Sequence, residues 1–251
     1  MTGGQAYPGI ISTGIEGTVW GISHPGGRER NEDALLILPI GDACLLAVAD
    51  GLGGHEGGEL ASKVAVEALR ETFERGYTRG MGVEEVKGLL LRAYEDAHRR
   101  IVEISPGPGK MGTTLTAAFV RNRMAVVANT GDSRAYLVRE GKIIARTRDH
   151  SVVQELIERG VISEEEAREH PMRHVVTKAL GVDLGIDTYV WELKAGDVLL
   201  LSTDGLHDYI DEGIIRKLAF ESDPRMAAEA LIGEALKVTE DNVTVVVFRE
   251  V

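Results

Sequence analysis

The chain has 251 residues, of which 43% are hydrophobic and 27% are charged, and its formal net charge is −12. This length and composition allow a sizeable core, in one large domain or two small ones. The negative net charge argues against a nucleic-acid or anionic-membrane partner, because binding to either requires a basic face on the protein. An acidic chain is better suited to binding metal cations.

The chain has one cysteine and no candidate membrane segment. Cys44 lies in an apolar run, so an intramolecular disulfide is excluded and a buried thiol in a reducing compartment is expected. No uninterrupted apolar stretch approaches the ~20 residues needed to cross a bilayer, and the first residues lack the pattern of a signal peptide. We therefore expect a soluble protein of the cytoplasm.

The first half of the chain predicts a buried strand followed by two helices. The apolar run at residues 44–49 stops at Asp50-Gly51, which is typical of a strand that ends in a glycine-rich turn. Apolar residues then recur at helical spacing twice, at Leu60, Val64, Ala68 and Phe73 and at Val86, Leu90, Ala93, Ala97 and Ile101. A Pro-Gly-Pro-Gly run at residues 106–109 breaks the chain after the second helix.

The second half predicts short antiparallel strands. Apolar and β-branched runs occur at residues 115–120, 124–128, 135–138, 142–145, 198–202 and 243–248. Tight connections at Asn122 and at Glu140-Gly141 favour hairpins over parallel strands joined by helices.

Two helical segments interrupt these strands. Residues 151–168 have helical periodicity, with Ser163 and Glu166 as a candidate capping box, and residues 226–236 are helical again. No repeat or linker-like run divides the chain, so we expect residues 1–251 to form a single domain.

Acidic residues stand beside strand ends or turns at four places. These are Glu32-Asp33, Asp50 before Gly51, Asp204 before Gly205, and Asp241 before Asn242. Any one Asp-Gly pair is ordinary turn chemistry, but a set of carboxylates gathered at strand ends would repel without a cation. Carboxylate and carbonyl oxygens suit Mg²⁺ and Mn²⁺ better than Zn²⁺, so a site for one of these two ions is expected.

Six segments in the chain carry recognisable motifs in a fixed order. They are residues 28–33 (RERNED), 48–55 (VADGLGGH), 112–115 (GTTL), 131–136 (GDSRAY), 202–206 (STDGL) and 241–244 (DNVT). In this order they resemble the signatures of the type 2C (PPM) metal-dependent protein serine/threonine phosphatases. The resemblance runs from about residue 17 to the C-terminus and is strongest to the short, stand-alone bacterial members.

The resemblance implies an α+β fold, an αββα four-layer sandwich in which two central antiparallel β-sheets are flanked by helices. Residues at about 146–181 resemble the flap of the bacterial members, a mobile subdomain beside the metal cleft that influences substrate choice. His150, His170 and His174 lie in this segment, but their spacing fits no standard metal-binding pair on a helix. We expect these histidines to be hydrogen-bonded within the protein or exposed.

The resemblance also implies a binuclear Mg²⁺ or Mn²⁺ centre. Asp50 would bridge the two ions, Asp204 and Asp241 would complete the first site, and the Gly51 carbonyl would help to hold the second. Two ions that share a carboxylate can lower the pKa of a bound water enough to produce hydroxide near neutral pH, and they offset charge on the phosphoryl group.

The same resemblance implies roles for three further acidic residues. Glu32 and Asp33 would orient metal-bound waters or contact the second ion. In bacterial members a third, looser ion is associated with the aspartate that matches Asp132, together with Asp204. The alternative interpretation of Asp132 is a turn or cap residue.

Arg28 falls where the family places an arginine that binds the substrate phosphate, which suits a guanidinium able to contact two oxygens. Arg30 is the alternative, and spacing favours Arg28. Leu52 stands where many eukaryotic relatives have a histidine proposed as the general acid, so that role cannot be transferred to this chain. His55 lies three positions later without an agreed catalytic task, and metal-bound water is another proton donor to the leaving alkoxide.

These features predict hydrolysis of phosphoserine and phosphothreonine in proteins, with Arg28, Asp50, Asp204 and Asp241 as the catalytic set. The resemblance implies phosphoprotein substrates that are targets of a bacterial-type serine/threonine kinase. Two alternatives stay open. One is a pseudophosphatase that binds partners without turnover, whose usual mark is the loss of metal carboxylates; the other is a hydrolase of small phosphomonoesters or nucleotides.

Overall fold

The computed structural model describes residues 10–53 and 56–251, apart from the side chain of Glu221. The strands in this part of the chain are β1 (Ile11–Ile15), β2 (Val19–His24), β3 (Ala34–Ile40), β4 (Ala43–Ala49), β5 (Gly51–Leu52), β6 (Gly112–Thr113), β7 (Leu115–Arg121), β8 (Met124–Thr130), β9 (Arg134–Arg139), β10 (Lys142–Arg146), β11 (Asp187–Glu192), β12 (Val198–Ser202) and β13 (Val243–Arg249). The helices are α1 (Glu56–Gly76), α2 (Val83–Ile104), α3 (Val152–Glu158), α4 (Glu164–Glu169), α5 (Asp204–His207), α6 (Glu212–Glu221) and α7 (Pro224–Ala235).

The strands form two large sheets and one small pair. The six-stranded sheet has the order β1-β2-β13-β12-β9-β10, the five-stranded sheet has the order β11-β8-β7-β4-β3, and β5 pairs with β6. Neighbouring strands in all three run antiparallel. The prediction of antiparallel sheets is confirmed.

The packing of the sheets explains why several strands are apolar along their whole length. Side chains of both sheets meet in a central cluster, to which β12 contributes Leu199 and Leu201. The alternate residues Val198 and Leu200 point to the other face, where they pack with the apolar residues of α6 and α7. Because side chains alternate along a strand, a strand covered on both faces must be apolar throughout.

Helices α1 and α2 cover the outer face of the five-stranded sheet, where Phe73, Leu90 and Tyr94 are fully buried with Leu115. The layer order is therefore helices, sheet, sheet, helices, and the αββα fold is confirmed.

The two tight connections have left-handed backbone conformations. Asn122 and Arg123 join β7 to β8 with φ values of 49° and 60°, and Glu140 and Gly141 join β9 to β10 with φ values of 50° and 71°. Two-residue hairpin loops with positive φ at both positions match the right-handed twist of the strands that they join.

The segment between β10 and β11 carries α3 and α4. Ser163 and Glu166 form the predicted capping box, because Ser163 Oγ accepts from Glu166 N at 3.2 Å and Glu166 Oε2 accepts from Ser163 N at 2.7 Å. A bridge from Ser151 to Val176 joins the two ends of the α3–α4 region within the segment, and a bridge from Leu180 to Thr113 attaches the segment to β6. Its extent as a flap and the assignment of residues 1–251 to one domain stay predictions. Among the helices built from the described residues, none has the length and apolar character needed to cross a membrane.

Candidate metal centre and active site

The predicted carboxylates lie at one end of the two sheets. Asp33 precedes β3, Asp50 follows β4, Asp132 lies in the loop between β8 and β9, Asp204 follows β12 as the first residue of α5, and Asp241 lies close before β13. Burial raises the pKa of Asp50 well above its usual value, and the nearby charges of Asp204, Asp33 and Asp132 raise it further. Burial likewise raises the pKa of Asp204, followed by the charges of Asp132, Asp208 and Asp241. The structure thus gathers acidic residues that are distant in sequence.

Hydrogen bonds from the Gly-Thr-Thr motif hold Asp50 in place. The Asp50 amide donates to Thr114 Oγ1 at 2.9 Å, and its carbonyl accepts from Thr114 N at 2.9 Å and from Thr113 Oγ1 at 2.8 Å. Thr114 Oγ1 also contacts Ser133 Oγ at 2.7 Å, beside Asp132. One threonine therefore links the Asp50 turn to the Asp132 loop.

Gly51 lies in a close contact between the Asp50 turn and the start of α1. A Cβ atom at Gly51 would lie 2.3 Å from the Gly58 carbonyl oxygen, and one at Gly58 would lie 2.0 Å from Glu32 Oε2. Two glycines at this crossing allow the Glu32 carboxylate to approach the Asp50 turn. The Glu32 amide donates to Asn242 Oδ1 at 2.8 Å, and its carbonyl accepts from Ser62 Oγ at 2.6 Å.

Asp33 is buried and only half satisfied by hydrogen bonds. Its Oδ2 accepts from Thr203 Oγ1 at 2.9 Å and from Thr244 Oγ1 at 2.6 Å. Burial raises the pKa of Asp33 to about 7, against the opposing effect of these two hydrogen bonds. The other oxygen, Asp33 Oδ1, has no hydrogen-bond partner, and the same is true of Asp204 Oδ1.

A divalent cation fits this set of residues. A buried carboxylate oxygen without a partner is costly, and several carboxylates in one place repel each other. A hard cation supplies both the missing partner and the opposing charge, and its preferred ligands are carboxylate oxygens. The raised pKa values and the two unpartnered oxygens are therefore the features of a cation site.

The backbone of Asp132 is held by a hydrogen bond from the side chain of His207. The imidazole of His207 donates from Nε2 to the Asp132 carbonyl at 3.1 Å, and its Nδ1 contacts Ser202 Oγ at 3.0 Å. Burial, followed by the charges of Arg134 and Arg146, lowers the pKa of His207 well below its usual value. Burial also raises the pKa of Asp132 to about 7, followed by the charges of Asp149 and Asp208.

Arg28 lies beside Asp241 at the edge of the centre. Arg28 Nη2 is 2.8 Å from Asp241 Oδ2, and Nε donates to the Glu240 carbonyl at 3.1 Å. The turn before it packs closely on the same residues, because a Cβ atom at Gly26 would lie 1.8 Å from the Asp241 carbonyl oxygen. Arg30 is exposed to a similar degree, 54% against 58% for Arg28, but its ion pair is a long one of 3.7 Å to Glu56. Arg28 thus contacts a predicted metal ligand, and its role in binding phosphate stays a prediction.

Three residues near the centre were not predicted to take part in it. Asn242 lies in the last motif, and its Nδ2 donates to the carbonyls of Pro25 and Arg30 at 2.9 and 2.7 Å, so it holds the Arg28 loop against β13. Asp208 lies one helical turn after Asp204, a spacing that could have indicated a shared face. His174 Nδ1 lies 3.2 Å from Asp208 Oδ2, and sequence spacing alone carried no signal for that pair.

The remaining histidines have different surroundings. His150 is buried, accepts from the Gly131 amide at 3.2 Å and contacts Asp187 at 3.2 Å, while His170 accepts from the Met172 amide at 3.1 Å. These two follow the expectation for the segment. His55 lies outside the described residues.

A cleft of about 370 Å³ opens next to Asp132 and Asp208. Its walls come from α5 and the residues after it, and from α3, α4 and the turn that holds Arg173. Arg134 lines the cleft but is already paired with the buried Asp149, with Nη2 to Oδ2 at 2.6 Å. The cleft is large enough to receive a side chain of a substrate next to the carboxylates.

A profile of the family described as protein phosphatase 2C matches residues 20–236. The chain belongs to the protein phosphatase 2C family. The family membership that the motifs predicted is confirmed. Members of this family are metal-dependent enzymes that dephosphorylate proteins.

Individual members of the 2C family are similar over most of this chain. Serine/threonine phosphatase stp of Listeria welshimeri is 37% identical over 191 residues, which are 74% of this chain and 75% of that protein. The structure of the S. agalactiae serine/threonine phosphatase matches with a TM-score of 0.85 and 30% identity, and the match covers 92% of this chain and 99% of that one. The catalytic domain of the phosphatase PstP in complex with two manganese ions matches with a TM-score of 0.77 and 33% identity, over 92% of this chain and 96% of that one.

Proposed function

We propose that this chain hydrolyses phosphoserine and phosphothreonine in proteins at a centre of two divalent cations, Mg²⁺ or Mn²⁺. The observation that carries the proposal is the gathering of Asp33, Asp50, Asp204 and Asp241, with unpartnered buried oxygens on Asp33 and Asp204. A pseudophosphatase would be expected to have lost some of these carboxylates, and all of them are present.

The proposed ligands divide between the two ions. Asp50 lies centrally and would serve both, Asp204 and Asp241 would hold the first ion, and the Gly51 carbonyl would hold the second. Glu32 and Asp33 would orient waters around the second ion. When bound, the ions supply a water that is acidic enough to act as nucleophile and positive charge for the phosphoryl oxygens.

Arg28 would bind the substrate phosphate. Its side chain is 58% exposed and lies next to Asp241, so the guanidinium is both near the centre and accessible to a ligand. A guanidinium can donate two parallel hydrogen bonds to phosphate oxygens. Its contact with Asp241 keeps it in place before substrate arrives.

We base the proposed serine/threonine specificity on the similar proteins, which are named serine/threonine phosphatases. A location in the cytoplasm and a bacterial-type serine/threonine kinase that supplies the phosphoproteins stay predictions. The protein should be assayed with Mn²⁺ on phosphoserine, phosphothreonine and phosphotyrosine peptides, a small aryl phosphate and a nucleoside monophosphate. The phosphoserine and phosphothreonine peptides should have the highest kcat/KM. A preference for the nucleotide or the aryl phosphate would instead support a hydrolase of small phosphomonoesters.

A further inference from the structure

One group of potential metal ligands extends beyond the proposed binuclear centre. Among the described residues, His174, Asp204 and Asp208 offer one ligand atom each, and these atoms all lie within 4.8 Å of one another. Asp204 and Asp208 are one turn apart, and the Asp208 amide donates to the Asp204 carbonyl at 2.9 Å. Both carboxylates therefore face the same side, where Asp204 Oδ1 has no hydrogen-bond partner.

His174 reaches this position from a different segment. The residues after it are attached to the start of α3, because Val152 N donates to the Val175 carbonyl at 2.9 Å and Thr177 N donates to the His150 carbonyl at 2.8 Å. The turn before it is closed by the hydrogen bond from Val175 N to the Met172 carbonyl at 3.1 Å. The imidazole is 47% exposed, so an ion can approach it from solvent.

We propose that His174 supplies a nitrogen ligand to a further divalent cation held with Asp208 and Asp204, and that this position selects Mn²⁺ over Mg²⁺. An imidazole nitrogen is a good ligand for first-row transition metals, whereas Mg²⁺ prefers carboxylates, carbonyls and water. The inference rests on the proposed function, because Asp204 is shared with the binuclear centre.

An ion at this position would also connect two parts of the protein. It would join the segment between α4 and β11, which carries His174, to α5, which begins with Asp204. Arg173, next to His174, lines the cleft beside Asp132 and Asp208. Occupancy by Mn²⁺ would therefore fix one wall of the cleft relative to the carboxylates. The alternative is that His174 and Asp208 form an ordinary surface ion pair, which stabilises a protein by little.

The test is pulsed electron paramagnetic resonance of the full chain loaded with Mn²⁺, which detects nitrogen bound directly to manganese. Both ring nitrogens of His150 and of His207 already have contacts within the protein, so they should give no signal. The wild type should show nitrogen coupling, and His174→Ala should lose it. His170→Asn and His55→Ala are the matched controls and should keep it.

Binding should change in the same variants. His174→Ala removes one ligand and should raise the Kd of the weakest Mn²⁺ site on the order of tenfold. Even mutation of a residue that only hydrogen-bonds to a metal ligand changes metal affinity by about that factor. The Kd for Mg²⁺ should change less than about threefold, because Mg²⁺ prefers oxygen and water ligands.

Several outcomes would overturn the inference. They are the absence of nitrogen coupling in the wild type with all Mn²⁺ sites filled, its persistence in His174→Ala, or its loss in His55→Ala alone. The proposed function fails separately, if Asp50→Asn binds Mn²⁺ with the stoichiometry and affinity of the wild type. Mn²⁺ binding that depends on Asp50 but shows no nitrogen coupling would leave the binuclear centre intact and remove only the role of His174.

Discussion

Arg28 Nη2 lies 2.8 Å from Asp241 Oδ2, so the proposed phosphate-binding cation and a proposed metal ligand are in direct contact. Asp241 can thus be balanced by two kinds of positive charge, the guanidinium and a metal ion. Arg28 is also fixed by its hydrogen bond to the Glu240 carbonyl, which leaves part of its donor set for a ligand. With the proposed roles of Arg28 and Asp241, this contact would connect the binding of substrate with the binding of metal.

Replacement of Arg28 by alanine should mainly weaken the hold on the phosphate. A charge-assisted bidentate contact is worth about 2–3 kcal/mol, so kcat/KM should fall roughly a hundredfold when metal is saturating. Arg28→Lys should recover only part of the loss, because an ammonium group keeps the charge but not the paired donors. Steady-state kinetics on a phosphothreonine peptide, repeated at several Mn²⁺ concentrations, separates this effect from a change in metal affinity.

The matched control for that experiment is Arg30→Ala. Arg30 is largely exposed and its contact with Glu56 is long, so the substitution should cost less than about threefold in kcat/KM. If Arg30→Ala proved more damaging than Arg28→Ala, the assignment of this motif would be wrong by two residues, and Glu32 and Asp33 would have to be reassigned with it.

Gly58→Ala should disturb the centre through packing alone. The added methyl would lie 2.0 Å from Glu32 Oε2 and 2.9 Å from the Gly51 carbonyl, so either the carboxylate or the Asp50 turn has to move. We expect a loss of about 1–3 kcal/mol in the free energy of unfolding, as for other overpacked sites, and weaker metal binding. Urea unfolding and Mn²⁺ titration measure the two effects.

Gly57→Ala is the control on the same helix. The nearest atom to its added methyl would be at 3.8 Å, an ordinary contact, and alanine is a better helix former than glycine by up to about 1 kcal/mol. Gly57→Ala should therefore be neutral or stabilising. Equal damage from both substitutions would show that the contact between Gly58 and Glu32 is unimportant.

The metal-free protein should lose stability as the pH rises. Asp33 and Asp132 have pKa values raised from 3.8 to about 7, so the folded state keeps protons that the unfolded chain releases at lower pH. The stabilisation is fully present below about pH 4 and is lost as pH rises through about 7. The urea concentration at the unfolding midpoint of the metal-stripped protein should decrease as the pH is raised from 5 to 8. Added Mn²⁺ should restore the midpoint at the higher pH.

Variants can assign that pH dependence. Asp33→Asn should flatten the dependence because it removes one of the titrating groups, whereas Glu74→Gln, at an exposed position of α1, should leave it unchanged. A midpoint that rises with pH in the metal-free wild type would contradict the arrangement of buried carboxylates described above.

Most of the layered fold was predictable from the sequence, and the misses have physical reasons. The runs that became β7, β8, β9, β12 and β13 are apolar because both faces of these strands are covered, whereas the run that became β10 lies at a sheet edge and is partly exposed. Strands β1, β2, β3 and β11 and helix α6 were not predicted. Strands β1, β3 and β11 lie at sheet edges with mostly exposed or mixed burial, and residues 212–221 are only partly buried. The apolar face of α1 was predicted partly wrongly: Leu60 is 47% exposed, and Ala61 and Ala65 are buried instead. Small alanines allow the close approach to the sheet, and they give a weaker apolar signal than leucine.

The site was predictable where a motif marks a strand end, and less so where tertiary contacts create it. Asp50, Asp204 and Asp241 could be found because each follows or precedes an apolar run. The contact between His174 and Asp208 joins residues 34 positions apart, and His174 lies in a turn outside the helices and strands, so no sequence periodicity indicates the contact. The support of Asp50 by Thr114 likewise depends on the pairing of distant strands.

The most direct test of the proposed centre is the hydrolysis of a phosphothreonine peptide as a function of Mn²⁺ concentration, for the wild type and for Asp50→Asn and Asp204→Asn. These substitutions remove a carboxylate charge at almost constant volume, so circular dichroism should show a retained fold. We predict that the wild type is inactive in excess chelator, gains activity as Mn²⁺ is added, and that each variant keeps less than about a tenth of the rate at every Mn²⁺ concentration, because metal ligands are essential to such catalysis. Full wild-type activity in chelator, or an Asp50→Asn enzyme as active as the wild type, would contradict the account.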